Sequence, residues 1–316
     1  MNIKIKNLNL REINAKDFIF FALSFLSKKY QKWYNFSGRY KFVTRSKNNP
    51  DLLIIIAGYK EYLWEYTLSR IKEYCGPNMD ICVVSPGIDN NVLRQICEEN
   101  SWSYLTTKEN KLSLAQNLAI KLHGNAKYIY KLDEDIFIGQ DYFQTLKHCY
   151  ETVKKQGTID PGFIAPLINI NIATYVDFLE LAGKSNDYQQ KFGTINMIER
   201  PKIWDDPETA IFAWKECGQL DDLADLAKIK NKDKHKISPI RFSIGAIMFE
   251  RKIWEEIGGF NVKVGLGYEE EQVNAFAYNH CRPIIISLET LVGHFSYGPQ
   301  TKKMIEYLDS NKEIFK

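Results

Sequence analysis

Short apolar runs alternate along the chain with stretches whose apolar positions recur every three or four residues, the marks of buried strands and amphipathic helices respectively. The run "DLLIIIAGY" at 51–59 is apolar at consecutive positions and stops at Gly58, which predicts a central parallel strand covered on both faces. A helix is predicted next, with Leu63, Tyr66, Leu68 and Ile71 on one stripe and "CGPN" closing it. "MDICVVSPG" predicts a second strand stopped by Pro86 and Gly87. Asn91 to Glu99 predicts a helix, "WSYLTT" a short strand, and Ser113 to His123 a third helix. "KYIYKL" is then a strand that runs directly into "DED" at 133–135.

Further on, "GFIAPLINI" predicts another strand, whereas 184–236 is polar, rich in Asp and Lys, and predicts an insertion or lid. Regular patterning returns at "RFSIGAIMFERKIWEEIGGF", a strand leading to a short helix that stops at Gly258 and Gly259. "GLGYEEEQVNAFAYNHC" predicts a helix with an acidic first turn, matching the preference for anions at helix N-termini, and "RPIIIS" a last strand. Such alternation defines an α/β domain on a mostly parallel sheet. Residues 1–48 form a separate N-terminal helical extension, and 49–316 the main domain. Gly293 and Gly298, on either side of "HFSY", predict a loop at His294.

The chain has 316 residues, 45% hydrophobic and 26% charged, enough for one large domain carrying an insertion. A net charge of +3 with scattered lysines and arginines makes nucleic acid an unfavoured partner. The six cysteines show no CxxC spacing and are expected to be reduced and mostly structural. No secretory signal is visible at the start, so a cytoplasmic location is expected. The run Phe18 to Leu26 falls short of the roughly 20 residues that a spanning helix needs. With Lys28, Lys29, Tyr30, Lys32, Trp33 and Tyr34 after it, 18–34 could rest on an anionic membrane face as a peripheral contact; packing on the main domain is the favoured alternative.

The chemistry concentrates at "DED". In an extended backbone Asp133 and Asp135 point the same way and Glu134 the other. Two carboxylates on one side suit a hard divalent cation, Mg2+ or Mn2+, whose remaining ligands come from water and substrate phosphates. About five acid-x-acid spacings are expected by chance in this composition, so position at a strand end carries more weight than the motif. An EF-hand is excluded, because Phe137 and Ile138 stand where an oxygen ligand and a glycine are needed.

Together, "LLIIIAGY", "VVSPG", "SLAQN", "LDED", "SIGAIMFERKIWEEIGGF", "GYEEEQ" and "GHFSYG" resemble a glycosyltransferase of the GT-A fold, closest in kind to the large family 2 group, over about Asp51 to Gly298 without the insertion. The resemblance implies a Rossmann-like GT-A sheet flanked by helices, a nucleotide-sugar donor (a UDP-sugar favoured) and a saccharide or lipid-linked acceptor, with a role in building bacterial surface glycans. It places metal binding at Asp133, Asp135 and His294. Nucleotide-sugar contacts fall at Ala57, Gly58, Tyr59, Ser85, Gln116, Asn117, Asp133 and Glu134, and the catalytic carboxylates at Glu270 and Glu269. The sequence departs from the family pattern in three places. Ser85 and Pro86 replace an acidic pair, Gln116 stands where arginine is usual, and Glu270 takes the position of an aspartate.

The aromatic residues Trp204, Phe212 and Trp214 of the insertion are candidates for stacking on acceptor sugars or for packing the insertion down. Two rival functions remain. A sugar-nucleotide nucleotidyltransferase needs a glycine-rich phosphate loop after the first strand, and "AGYKEYLWE" has only Gly58. An inactive glycan-binding scaffold on the same fold would have no use for intact Asp133, Asp135 and Glu270.

Overall fold

The structure is a computed structural model and describes residues 15–263 and 268–316. In chain order it runs α1 (Ala15–Tyr34), β1 (Tyr40–Val43), β2 (Asp51–Ile56), α2 (Glu61–Tyr74), β3 (Met79–Pro86), α3 (Asn91–Glu99), β4 (Ser103–Thr107), α4 (Leu112–Leu122), β5 (Tyr128–Asp133) and β6 (Ile136–Ile138). Then come α5 (Tyr142–Gln156), β7 (Phe163–Ile168), α6 (Tyr175–Leu181), α7 (Ser185–Phe192), α8 (Lys202–Asp205), α9 (Pro207–Lys215) and α10 (Leu220–Lys230). The last part holds β8 (His235–Ile237), β9 (Ala246–Glu250), α11 (Arg251–Ile257), α12 (Tyr268–Asn279), β10 (Ile284–His294) and α13 (Thr301–Ser310).

These strands form one sheet in the order β1-β4-β3-β2-β5-β9-β7-β10-β6, with β8 paired to β10. β2, β3, β4, β5, β7 and β10 run one way and the four remaining strands run against them. Leu52 to Ile55 of β2 are all buried, so both faces of the central strand are covered, as the unbroken apolar run requires. Each such side chain contributes about 1.5–3 kcal/mol by leaving water.

Local chemistry starts the helices. Asn90 caps α3 by accepting from the backbone N–H of Val92 and Leu93 at 2.9 and 3.1 Å. Asp206 caps α9 through Glu208 N–H at 2.9 Å, with Pro207 at the first helical position.

Three differences from the sequence expectation bear on the site. Helix within the N-terminal segment ends at Tyr34, and Tyr40–Val43 becomes the antiparallel edge strand beside β4, because a partner strand was available there. Met1 to Asn14 lie outside the described residues. Segment 184–236 is helical and packs into a second apolar core, where Phe212 and Trp214 are buried with Phe137, Leu220 and Phe295. It is a wall of the domain. His294 lies in a strand, since β10 resumes after a bulge between Ser287 and Leu291 and pairs with β6, His294 opposite Ile136.

Gly293 is required in that strand by its neighbour: a Cβ there would collide with the Trp214 ring. Asp133 and Ile136 are three peptide steps apart, at most about 11 Å. Four inter-strand spacings in a flat sheet would need about 19 Å. The sheet must therefore curl, returning β6 and the end of β10 to the tip of β5, and this brings His294 beside Asp135.

Candidate active site

A cavity of about 550 Å3 opens at the C-terminal ends of β2, β3 and β5, where ligands bind in sheets of this kind. Its floor is the triplet that joins β5 to β6. Asp135 is buried, with Oδ2 3.4 Å from His294 Nε2, and it is ion-paired to Lys60. Burial alone would raise the Asp135 carboxyl, but Lys60 and His294 outweigh it and hold the group well below the usual carboxylate range.

His294 is oriented by a second contact, Nδ1 lying 2.9 Å from the Ile170 carbonyl oxygen. A carbonyl only accepts, so Nδ1 carries a proton, and Nε2 is the ring atom turned to Asp135. The strand itself is pinned by the insertion: Trp214 Nε1 donates to the carbonyls of His294 and Phe295 at 3.2 and 3.3 Å.

Asp133 opens onto the same cavity, but its carboxylate lies 2.6 Å from Lys131 Nζ, which also donates to the Ile244 carbonyl at 2.8 Å. Among the described residues no group of three or more His, Cys, Asp or Glu side chains is placed to hold a metal ion alone. The protein thus offers a preassembled pair, Asp135 and His294. One carboxylate and one imidazole suit Mn2+, or Mg2+ less well, provided that substrate phosphates and water complete the shell. On the chemistry of that pair, one buried carboxylate beside one imidazole, the residues fit a divalent cation.

Opposite, Glu270 sits in the first turn of α12 and lines the cavity. Its carboxylate accepts from Ile244 N–H at 3.3 Å and pairs with Arg241 at 2.6 Å. Burial nevertheless raises its pKa above the ordinary value, the Arg241 charge only partly opposing it. Glu269 turns the other way: it is buried and accepts from Ser113 Oγ at 3.1 Å, off the cavity wall.

Other expected contacts divide similarly. Tyr59 lines the cavity, its hydroxyl donating to the Pro86 carbonyl at 2.7 Å. Glu134 and Asp135 form a turn between β5 and β6, not the extended backbone expected, and Glu134 accepts from Gly58 N–H at 3.0 Å, Tyr59 N–H at 3.1 Å and Trp64 Nε1 at 2.7 Å. Its work is to hold the turn after β2, and Ala57 is buried beneath that turn. Gly58 has φ +146°, and a Cβ there would lie 2.7 Å from Ser85 Oγ, so glycine is needed at this point.

Asn117 is remote from the cavity. It donates to the carbonyls of Asn35 and Phe260 and accepts from Trp254 Nε1 and Phe260 N–H, tying the segment after α1 to the chain that leads to α12. Ser85 and Gln116 are buried off the cavity wall, and Ser85 Oγ and Gln116 Nε2 have no hydrogen-bond partner among the described residues.

Sequence reasoning had no role for Lys60, Arg241 or Tyr297, all of which line the cavity. Lys60 had a local signal, as the first residue after the turn that follows β2. Tyr297 lay inside the quoted "GHFSYG", three residues from His294, whereas Arg241 had no local signal, since tertiary packing brings it to Glu270. Of the insertion's aromatics, Trp204 alone reaches the cavity, stacked on Tyr297 with ring centres 4.2 Å apart. A separate cavity of about 640 Å3, between α12 and the segment before β9, is lined mainly by apolar side chains and shares only Arg241 with the first.

No family model and no curated protein matches the sequence. Among solved structures, the chain is similar to GalNAc-T7 with UDP, GalNAc and Mn2+, at 13% identity and a TM-score of 0.46, covering 84% of this chain and 48% of that one. It is also similar to the mannosyltransferase PcManGT from Pyrobaculum calidifontis in complex with GDP-Man and Mn2+, at 14% identity and a TM-score of 0.45, covering 88% and 67%. The chain therefore spans about half the length of the first of these.

Proposed function

We propose that this protein is a metal-dependent, inverting glycosyltransferase of GT-A type that moves a sugar from a nucleotide-sugar donor to a hydroxyl of a saccharide or lipid-linked acceptor. One observation carries the reading: a single cavity at the strand ends is lined both by the Asp135–His294 pair and by the Glu270 carboxylate, whose pKa burial raises. A divalent ion held by Asp135 and His294 would supply positive charge to the diphosphate as the sugar–phosphate bond breaks.

The chain's own residues do the rest. Glu270 accepts the acceptor hydroxyl's proton while that oxygen bonds to the anomeric carbon, and the bonding pair of the broken C–O bond leaves on the diphosphate. Arg241 orients Glu270 and keeps it ionised despite burial. Attack from the Glu270 side, opposite the leaving group, inverts the anomeric centre. The nucleotide base belongs at the end of the cavity formed by Tyr59, Pro86 and Asn110, with a uridine donor favoured. Asp133 serves the donor ribose or the ion through water. Trp204 and Tyr297, stacked at the rim, present flat apolar surface to a sugar ring.

A thermal-shift series with UDP-sugars and GDP-sugars checks the donor. The true donor with Mn2+ is expected to raise the melting temperature in proportion to log concentration above its Kd, and much less without Mn2+. No shift with any nucleotide sugar would favour the scaffold reading instead.

A cytoplasmic place at the inner face of a membrane, serving surface-polysaccharide assembly, is the second part of the proposal. No described helix is long and apolar enough to cross a bilayer. In α1, however, Ile19, Leu23, Leu26, Tyr30 and Trp33 are exposed on one stripe, flanked by Lys29, with Lys28 and Lys32 on the far side of the helix. Co-sedimentation with vesicles containing anionic phosphatidylglycerol is expected for the wild type and is expected to be lost in a Leu23→Glu, Leu26→Glu double variant. Equal binding of both proteins would remove the membrane role.

A further inference from the structure

The metal pair is already occupied by a cation of the protein's own. Lys60 stands between the turn after β2 and the start of α2, and its ammonium reaches across the cavity floor to the buried Asp135 carboxylate. The Lys60 side chain lines the cavity and keeps about a third of its surface exposed, so its head can withdraw into the cavity without unfolding the turn.

Two features argue that this contact is more than a surface ion pair. Asp135 is one of the most buried acids of the chain, and an unneutralised carboxylate there would be costly. The Lys60 ammonium is also nearer to Asp135 Oδ2 than His294 is, whose Nε2 stands 3.4 Å away. Lys60 therefore places a permanent positive charge on the carboxylate that a divalent ion would use. A divalent cation bound between Asp135 and His294 would meet the Lys60 ammonium at contact distance, and like charges so close in a shielded site repel strongly.

We propose that Lys60 is a resident counter-cation that competes with the divalent ion for Asp135, keeping the site charge-balanced before loading and lowering its affinity for free metal. Metal entry then requires Lys60 to leave Asp135 for the cavity, where donor phosphates offer it a new partner. This rests on the metal-dependent reading above, and it adds that the affinity for bare Mn2+ is limited by a residue that is not a ligand.

The test uses Mn2+ alone, with no nucleotide, titrated into the full chain while free Mn2+ is followed by its electron paramagnetic resonance signal. Lys60→Met is expected to bind Mn2+ about tenfold or more tightly than the wild type, since the competing charge is gone and its volume is kept. Lys60→Arg, which keeps the charge, is expected to stay within about threefold of the wild type. Mn2+ is also expected to raise the melting temperature of Lys60→Met more than that of the wild type, because only the variant leaves Asp135 unbalanced when metal-free.

Lys60→Gln repeats the measurement if Lys60→Met does not fold. Equal or weaker Mn2+ binding in whichever neutral variant is folded overturns the inference, even if nucleotide sugars bind and transfer proceeds. Tighter binding in a protein that takes up no nucleotide sugar would uphold the role of Lys60 and count against the glycosyltransferase reading.

Discussion

Asp135→Asn is expected to lower kcat/KM for sugar transfer by about a thousandfold, the scale seen when one preorganised group that stabilises leaving-group charge is removed. The substitution keeps volume and hydrogen-bonding shape, so its effect isolates charge. It takes away the anionic ligand from a two-ligand site, leaving His294 alone to hold an ion. It also leaves Lys60 facing a neutral amide, and a freed ammonium can partly stand in for the ion at the diphosphate. The residual activity of the variant should therefore be insensitive to added Mn2+, whereas that of the wild type should depend on it. Transfer at the wild-type rate, with no Mn2+ dependence in either protein, would end the metal role.

Glu270→Gln should cost between about a hundredfold and ten-thousandfold in kcat, the range associated with loss of a general base. The amide still accepts from Ile244 N–H and keeps its place in the first turn of α12, so acceptor and donor binding should change little and the loss should fall on kcat. The pH profile separates a base from a positioning residue. The Glu270 carboxyl is raised above its ordinary 4.5 chiefly by burial. Wild-type kcat/KM should then rise with pH as this group loses its proton, with a midpoint above 4.5, and the variant should lack that limb.

The same shift has a cost in stability. Just above pH 4.5 the folded chain retains a proton that the unfolded chain has released, so stability falls as pH rises through the folded pKa. Glu270→Gln should flatten that dependence. Activity at the wild-type rate with an unchanged acid limb would assign the base to another group.

The two effects differ in what they remove. In the proposed reaction Asp135 holds charge that helps the leaving group depart, and Glu270 acts on the incoming oxygen. Their costs in the double variant should fall short of the product if both groups serve one concerted step.

Much of this arrangement was legible before any coordinates. The unbroken apolar run of 51–56 needs cover on both faces, and β2 has it. Asn91 to Glu99 is a helix to the residue, because the Asn90 side chain caps it, and the stripe closed by "CGPN" is the helix Glu61–Tyr74. The expected extended backbone through 133–135 is a turn after Asp133, and it is this turn that lets Glu134 accept from the backbone of Gly58 and Tyr59.

What was not legible depends on partners distant in sequence. Tyr40–Val43 is a strand because β4 had an open edge, a fact that no local propensity contains. Asn117 lies in the segment that suggested donor binding, yet all its polar atoms are used to bind Asn35, Trp254 and Phe260. Glu269 and Glu270 are adjacent and chemically identical, and only the rotation of α12 sends one to Ser113 and the other to the cavity.

The sequence by itself determined the parts that obey short periods: strand and helix, the placing of carboxylates at a strand end, and the acidic first turn of a late helix. Hydrophobic burial and capping act over a few residues, so their record is local. The tertiary structure alone decided the company those carboxylates keep. Curling of the sheet brings His294 to Asp135, Trp214 of the insertion pins that strand, Lys60 supplies the balancing charge, and Arg241 holds Glu270. Charges in a shielded cavity act on whatever folding places beside them, and residues up to 234 positions apart leave no periodic trace of that meeting.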